Sequence, residues 1–466
     1  SANGSGGNHN SCHRESPGMR LTLIQPAIGH RIGESYIRSW QMEPLPIATL
    51  AGLTPEDVSL SFYDDRMEPL RYDEPTDAVA IPVETYTARR AYQIASEYRR
   101  RGVPVILGGF HPSLMPDEAQ RYGDAIVVGE AEGIWSELID DLRHRTLKTR
   151  YHSTRGELSA TRVDRRLFAG KRYLPIGLVE TGRGCRFPCE FCAIQTFFER
   201  THRSRPVGDI IEELRSLQNR KKIFFFVDDN FAGNLKIGRE LLPELAKLGV
   251  RWITQMSINA AHDEEFVALM ARGGCCGVLI GFESLDPVNL RTMKKGFNLM
   301  KGGYAAALAN LRRYGIPVYG TFVFGYENDD ASAFDRAVDF ALQEDMYIAA
   351  FNHMTPFPAT PLYERLKREG RLRYEAWWLD PAYRYNEVPY FPSKLSPTEV
   401  TQGCVAARRR FYGWSSIARR IRRNHSNFFM LRNYLPINYM HRREISLRNG
   451  YPLGDEAYPE PLLEVA

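Results

Sequence analysis

The sequence predicts an α/β protein: an N-terminal Rossmann-like doubly wound sheet, then a partial (β/α)6 TIM-like barrel, then a C-terminal helical extension. Three observations predict it. Short apolar runs alternate with amphipathic stretches from Met19 to about residue 150. A polar, arginine-rich stretch without sustained period covers 151–170. Beyond it a strand-then-helix signal recurs six times before the pattern changes near residue 371. At 466 residues and 43% hydrophobic, the chain has the length for two or three domains.

Residues 1–18 are rich in Gly, Ser and Asn and read as a disordered or vector-derived tail, in which Cys12 and His13 are given no role. The first domain, 19–150, has apolar runs at 21–25, 58–63, 78–83, 103–107 and 125–128 that read as buried strands, with a helical pattern over 88–101. Ligands of doubly wound sheets sit beyond the carboxyl ends of the strands. The turns there read Gly108-Gly109-Phe110-His111-Pro112 and Gly129-Glu130-Ala131-Glu132-Gly133, and the first strand is followed by Ile28-Gly29-His30. The stretch 151–170 suits a linker. Barrel strands are expected at 176–181, 223–227, 252–258, 277–282, 318–324 and 348–353 within a domain spanning 171–370, with helices such as 209–219, 240–248, 262–271 and 333–343. Residues 371–466 read as a mostly helical domain with a basic helix over 404–423 and eleven arginines between 401 and 450. Such a face could attract phosphate, nucleic acid or anionic lipid; pairing with acidic surface on the barrel is the simpler expectation.

The first barrel strand runs into Gly182-Arg183-Gly184-Cys185-Arg186-Phe187-Pro188-Cys189-Glu190-Phe191-Cys192. Thiolates spaced Cys-x3-Cys-x2-Cys can wrap three corners of a [4Fe-4S] cube and leave one iron open. A zinc site or three unconnected cysteines are the alternatives, but zinc usually takes two ligand pairs and no second pair exists. The other cysteines, Cys12, Cys275, Cys276 and Cys404, show no framework spacing, so disulfides are not expected. Barrel chemistry collects at the carboxyl ends of strands. Asp228-Asp229-Asn230 follows the second strand and suits either ligand binding or a helix start. Gly281-Phe282-Glu283-Ser284 closes the fourth, where an unpaired Glu283 at the end of an apolar run would be costly. The fifth carries Gly320 and Gly325, and the sixth ends at His353, which reads as a satisfied core histidine.

With these residues the chain, from 19 to about 370, resembles the radical S-adenosylmethionine (SAM) superfamily. Its first domain resembles the cobalamin-binding domains in front of many such barrels, so that the whole looks like a cobalamin-dependent radical SAM methyltransferase. The resemblance implies a [4Fe-4S] cluster on Cys185, Cys189 and Cys192, with SAM at the open iron and Phe191 beside both. It implies that Asp228 receives the methionine ammonium, that Glu283 and Ser284 reach the ribose or amino group, and that Gly320 and Gly325 lie against the adenine. Residues 352–363 resemble the family's segment along the SAM site, with Ala359 where glycine is usual. Gly108, Gly109, His111, Gly129 and Glu130 correspond to turns that meet the corrin edge or nucleotide tail of cobalamin. At His30 the pattern departs, because Ile28 stands where an aspartate would orient the imidazole, and His30 is expected to be a loop residue. The implied reaction is cleavage of SAM to a 5′-deoxyadenosyl radical and methylation of an unactivated carbon. Cyclisation, rearrangement, transfer of another SAM-derived group, or a non-catalytic cluster- or corrin-binding sensor remain alternatives. The expected partners are a small-molecule or lipid-like substrate and an external one-electron reductant such as flavodoxin or ferredoxin. No nucleic acid and no transmembrane segment are expected, and the expected location is cytoplasmic.

Overall fold

The computed structural model describes residues 18–34, 41–300, 302–421, 428–447 and 449–465. Most of the expected tail and two basic residues, Arg422 and Arg423, lie outside them.

In the first domain β1 (Arg20–Gln25), β2 (Ser59–Asp64), β3 (Ala78–Pro82), β4 (Val105–Gly108), β5 (Ala125–Val128) and β6 (Arg150–His152) form one parallel sheet, ordered β2-β1-β3-β4-β5-β6. The inner strands β3, β4 and β5 are apolar because both faces are covered: Ala78 and Ala80 enter one core cluster, Val79 and Ile81 the other. The crossover helix α1 (Ala88–Arg100) lies on the second face with Ala88, Ala91, Tyr92 and Ala95 buried. The strand order reverses between β1 and β3, which marks the ligand crevice of such a sheet. β6 was not expected. Its three residues, Arg-Tyr-His, sit at the sheet edge where only Tyr151 is buried, so the apolar signal is missing.

The second domain places β7 (Ile176–Val179), β8 (Ile223–Phe226), β9 (Trp252–Gln255), β10 (Cys275–Glu283), β11 (Val318–Phe324) and β12 (Ile348–His353) side by side in chain order, all parallel. Helices α2 (Val207–Leu217), α3 (Leu235–Leu248), α4 (Glu264–Arg272), α5 (Gly303–Arg313) and α6 (Ser332–Gln343) return the chain between them. Their apolar spacing buries one side, as Ile210, Ile211, Leu214 and Leu217 do on α2. Asn234 and Asp263 accept backbone N–H bonds that start α3 and α4.

The C-terminal region is not the separate helical domain expected. α7 (Pro397–Phe411) opens on a Ser396/Glu399 capping box and lies along the edge strand β12. α8 (Trp414–Ile421) and α9 (Phe428–Leu447) place Ile417, Met430 and Tyr434 against Cys276 and Tyr347, at the amino-terminal ends of β10 and β12. The irregular stretch before α7 instead joins the first domain, where Trp377, Trp378 and Tyr383 are buried in its core. After α9, Gly454 and Asp455 pair with Gly29 and His30.

Candidate active site

The cysteine loop leaves β7 through Gly182–Gly184, which pairs antiparallel with His202–Ser204. Gly184 has φ of +90°, and a Cβ there would lie 2.2 Å from the Thr201 carbonyl oxygen, so no other residue fits. The loop is held by the segment after β8. Asp228 accepts from Thr181 N at 2.6 Å, from Gly182 N at 3.3 Å and from the Thr181 hydroxyl. Asp229 accepts from Gly184 N at 2.7 Å, and Asn230 donates to Cys185 Sγ at 3.9 Å while accepting from Ser257 N at 3.1 Å. Burial pushes the Asp228 carboxyl up to about 7 and Asp229 up to about 6. The carboxylate expected to receive the methionine ammonium is thus occupied in shaping the loop.

Cys189 is buried and Cys185 and Cys192 are half-buried. Burial pushes the Cys189 thiol up to about 12, with the Lys295 ammonium acting the other way. A cation bound to sulfur is what such thiols need to become thiolates. Among the described residues no three His, Cys, Asp or Glu side chains are grouped to hold a single metal ion. Three cysteines spaced Cys-x3-Cys-x2-Cys on one loop suit a four-iron cube, which takes one thiolate per iron. Cys275, Cys276 and Cys404 are buried elsewhere, at the start of β10 and on α7, and among the described residues no fourth cysteine joins the loop.

Beside the loop Glu283, a candidate from the sequence, pairs with Lys295, which sequence reasoning missed. The β10 register against β11 shifts between Gly281 and Glu283, and Glu283 adopts φ of +62°. Its carboxylate folds over Gly281, where a Cβ would meet Oε1 at 2.2 Å, and accepts from Lys295 Nζ at 2.8 Å. Both residues are buried. Burial works against the Lys295 charge, but Glu283 and the neighbouring cysteines outweigh it and hold the ammonium above the usual lysine range. Lys295 Nζ lies 6.0 Å from the Phe191 ring and 5.5 Å from that of Phe297, and Phe297 stacks on Phe187 of the cysteine loop at 3.8 Å. Lys295 therefore stands between Phe191 and Glu283. The Ser284 hydroxyl is used locally, accepting from Asp286 N at 3.1 Å.

Other expected residues are placed differently. The open side of Gly320 is filled by Met346 Sδ, 2.4 Å from where a Cβ would be, and by Phe282, so this glycine makes room for core packing and not for adenine. Gly325 donates to Asp329 at 3.0 Å and accepts from the Tyr390 hydroxyl at 2.6 Å; its backbone is spent in the turn after β11. His353 is a core histidine, as read, with Nδ1 3.1 Å from the Met354 carbonyl and burial pushing its pKa down to about 4.

In the first domain Gly108 accepts from Val83 N at 2.7 Å, and Gly109, at φ +98°, lies so close to Val83 that a Cβ would meet its carbonyl oxygen at 3.0 Å. His111 is fully buried, with Nε2 2.9 Å from Glu118 Oε1 and Nδ1 3.3 Å from the Thr85 hydroxyl. Glu118 also accepts from Trp378 Nε1 at 3.0 Å. His111 thus ties its turn to the C-terminal segment and does not present its ring to a ligand. Gly129 N donates to Ser113 at 2.9 Å. Glu130 accepts from Arg183 Nη1 at 3.0 Å, while Glu132 and Glu180 accept from Arg183 Nη2 and Nε at 2.6 and 2.8 Å. The expected corrin contact is instead half of an ionic fastening between the first domain and the cysteine loop, two residues before Cys185. Burial alone would raise Glu132, yet Arg183 holds it below the usual carboxyl range.

His30 does have a carboxylate partner: Nε2 lies 3.2 Å from Asp65 Oδ1, just beyond β2. Asp65 is itself fixed by Arg90 through two bonds of 2.8 Å. No sequence signal marks it, because the partner comes from a neighbouring strand end and not from two residues upstream.

Comparison with known proteins agrees with this geometry. Residues 179–340 match the model of the radical SAM superfamily. The chain is 32% identical to bacteriochlorophyllide d C-12(1)-methyltransferase of Chlorobaculum tepidum over 84% of its own length and 87% of the relative's. It is 29% identical to hopanoid C-2 methylase of Rhodopseudomonas palustris, covering 72% of this chain and 66% of that one. Among solved structures, the cobalamin-dependent S-adenosylmethionine radical enzyme OxsB shares the fold with a TM-score of 0.64 at 15% identity, over 92% of this chain and 71% of that chain.

Proposed function

Because the chain belongs to the radical SAM superfamily, we propose that it is a cobalamin-dependent methyltransferase acting on an unactivated carbon of an apolar small molecule, a tetrapyrrole or a lipid. The observation that supports this reading is the joining of a three-thiol loop to the carboxyl ends of a doubly wound sheet through Arg183, which bonds Glu130 and Glu132 beyond β5. The named relatives, a bacteriochlorophyllide methyltransferase and a hopanoid methylase, support the substrate class.

When bound, the cluster supplies an electron to the sulfonium of SAM and cobalamin supplies a carrier for the methyl group. The protein's own residues bind, orient and shield. Cys185, Cys189 and Cys192 would hold three irons of the cluster. Lys295 and Glu283 offer a cation and a carboxylate next to the loop, complementary to the carboxylate and ammonium of the methionine moiety. Asp228, Asp229 and Asn230 keep the loop in register, and Phe187, Phe191 and Phe297 keep water from it. An external one-electron donor of the flavodoxin or ferredoxin kind completes the system.

The test is anaerobic reconstitution with iron, sulfide and cobalamin, followed by quantification of SAM-derived products. S-adenosylhomocysteine forming together with 5′-deoxyadenosine is expected. If 5′-deoxyadenosine and methionine form alone, the enzyme performs radical chemistry without methyl transfer. That second reading is favoured by one observation, the engagement of His111 and Glu130 by protein groups where corrin contacts were expected.

A further inference from the structure

The outward side of α8 and α9 forms one apolar and basic face. Along α9, Arg432, Leu435, Tyr439, Arg443 and Leu447 are exposed at spacings of three and four, which puts them on a single stripe. Trp414 of α8 stacks on Tyr439 at 6.3 Å and joins the two helices' faces, and the Arg442 guanidinium lies 5.4 Å over the Trp414 ring. Trp414 is 56% exposed, Leu435 and Tyr439 52% each and Leu447 37%; four of the ten large apolar side chains exposed among the described residues therefore crowd onto two helices.

The charge on these helices has one sign. Their one acid is Glu444, which is half-buried, while Arg419, Arg432 and Arg443 are exposed. On α7, by contrast, Arg410 is neutralised by Asp335 and Asp339 of the barrel, as expected for the basic region. Among the described residues Arg419 and Arg432, unlike Arg410, form no ion pair with the barrel's acids.

We propose that this face docks the enzyme on an anionic lipid bilayer surface. Exposed tryptophan, tyrosine and leucine interspersed with arginine suit a helix surface that rests on the membrane interface: rings at headgroup depth, aliphatic side chains toward the acyl boundary, guanidinium groups on phosphate. A second copy of the chain is a poor occupant, since it would set arginine against arginine. Single-stranded nucleic acid would have no use for Leu435 and Leu447, and the Trp414 ring is already engaged by Tyr439 and Arg442. The two helices pack at the amino-terminal ends of the barrel strands, whereas the cysteine loop lies at the carboxyl-terminal ends, so docking leaves the site's mouth open. The proposal is independent of which group the enzyme transfers.

The test is co-sedimentation of the full chain with phosphatidylcholine vesicles, alone or with about one-third phosphatidylglycerol. Binding only to the anionic vesicles is expected, weakened about tenfold or more in L435S/Y439S/W414S and in R419E/R432E. High salt should reproduce the effect of the charge variant. R419E/R432E should keep the parent melting temperature, and both variants should keep basal SAM cleavage. The proposal is overturned if neither vesicle binds, if binding is unchanged in both variants, if the face proves to be a dimer contact that the variants dissociate in light scattering, or if it captures single-stranded RNA with these same residues in place of lipid.

Discussion

The strand ends of the two sheets are built from similar turns and used in opposite ways. At the barrel, the thiols and the Glu283–Lys295 pair are gathered around one spot, with charges that satisfy each other while ready to meet a zwitterion. At the first domain, the polar side chains of equally suggestive turns are turned away from the crevice, His111 into Glu118 and Glu130 into Arg183. A glycine-rich turn with a histidine or a glutamate can therefore be a ligand contact or an architectural joint. What decides between them is whether another part of the protein claims the side chain. Two of the first domain's carboxylates, Glu130 and Glu132, serve the neighbouring cysteine loop.

Several substitutions would break or sharpen this contrast. Cys189→Ala, on the barrel side, should abolish the visible absorption of the reconstituted cluster and with it all SAM cleavage; a retained cluster would mean that the loop is not its seat. Arg183→Ala should cost about 3–5 kcal/mol, because it takes the paired guanidinium from Glu132 and Glu180 and leaves Glu130 with Arg203 alone, and Arg183→Lys should recover part of the fall in melting temperature. Unchanged stability would show that the domains are not fastened there. Glu283→Gln should cost about 3 kcal/mol by stranding Lys295 and weaken SAM binding about 10–100-fold in calorimetry on the reconstituted protein. Adding Lys295→Met should restore stability but not affinity, which separates a binding pair from a purely structural one.

The pH dependence of stability offers a further check. Burial holds the His353 pKa at about 4, below its ordinary 6.5. Its contribution is therefore fully present above about pH 6.5 and lost as pH falls to about 4, a change of about 3 kcal/mol or less. His353→Gln should flatten that limb of the denaturation midpoint plotted against pH. The smallest effect is expected for His111→Ala, about 2 kcal/mol from the partners it leaves unsatisfied, with cobalamin affinity unchanged in an absorbance titration. A large loss of cobalamin affinity would return His111 to the crevice and dissolve the contrast.

Both sheets were legible in the sequence almost strand by strand, because the inner parallel strands are covered on both faces and so read as short, nearly continuous apolar runs. β6 escaped because an edge strand of three residues has little to bury. The C-terminal segment escaped because Trp377, Trp378 and Tyr383 show that something is buried but not against what. Within the site, the cysteine spacing and Glu283 at a strand end were legible because they are local. Lys295, Asp65 and Arg183 were not, since each acts on a partner that only the fold brings near.

What the sequence determined by itself is the order of elements, the three-thiol loop and its place after the first barrel strand; these follow from periodicity and spacing along the chain. The tertiary structure alone decided which charges meet: Arg183 with two carboxylates of the other domain, Lys295 with Glu283 across a register shift, His111 with Glu118 instead of a ligand. Charged side chains carry no periodic signature of their partners. A buried charge has to find an opposite one, and in this fold several of those partners lie on other strand ends and in the other domain.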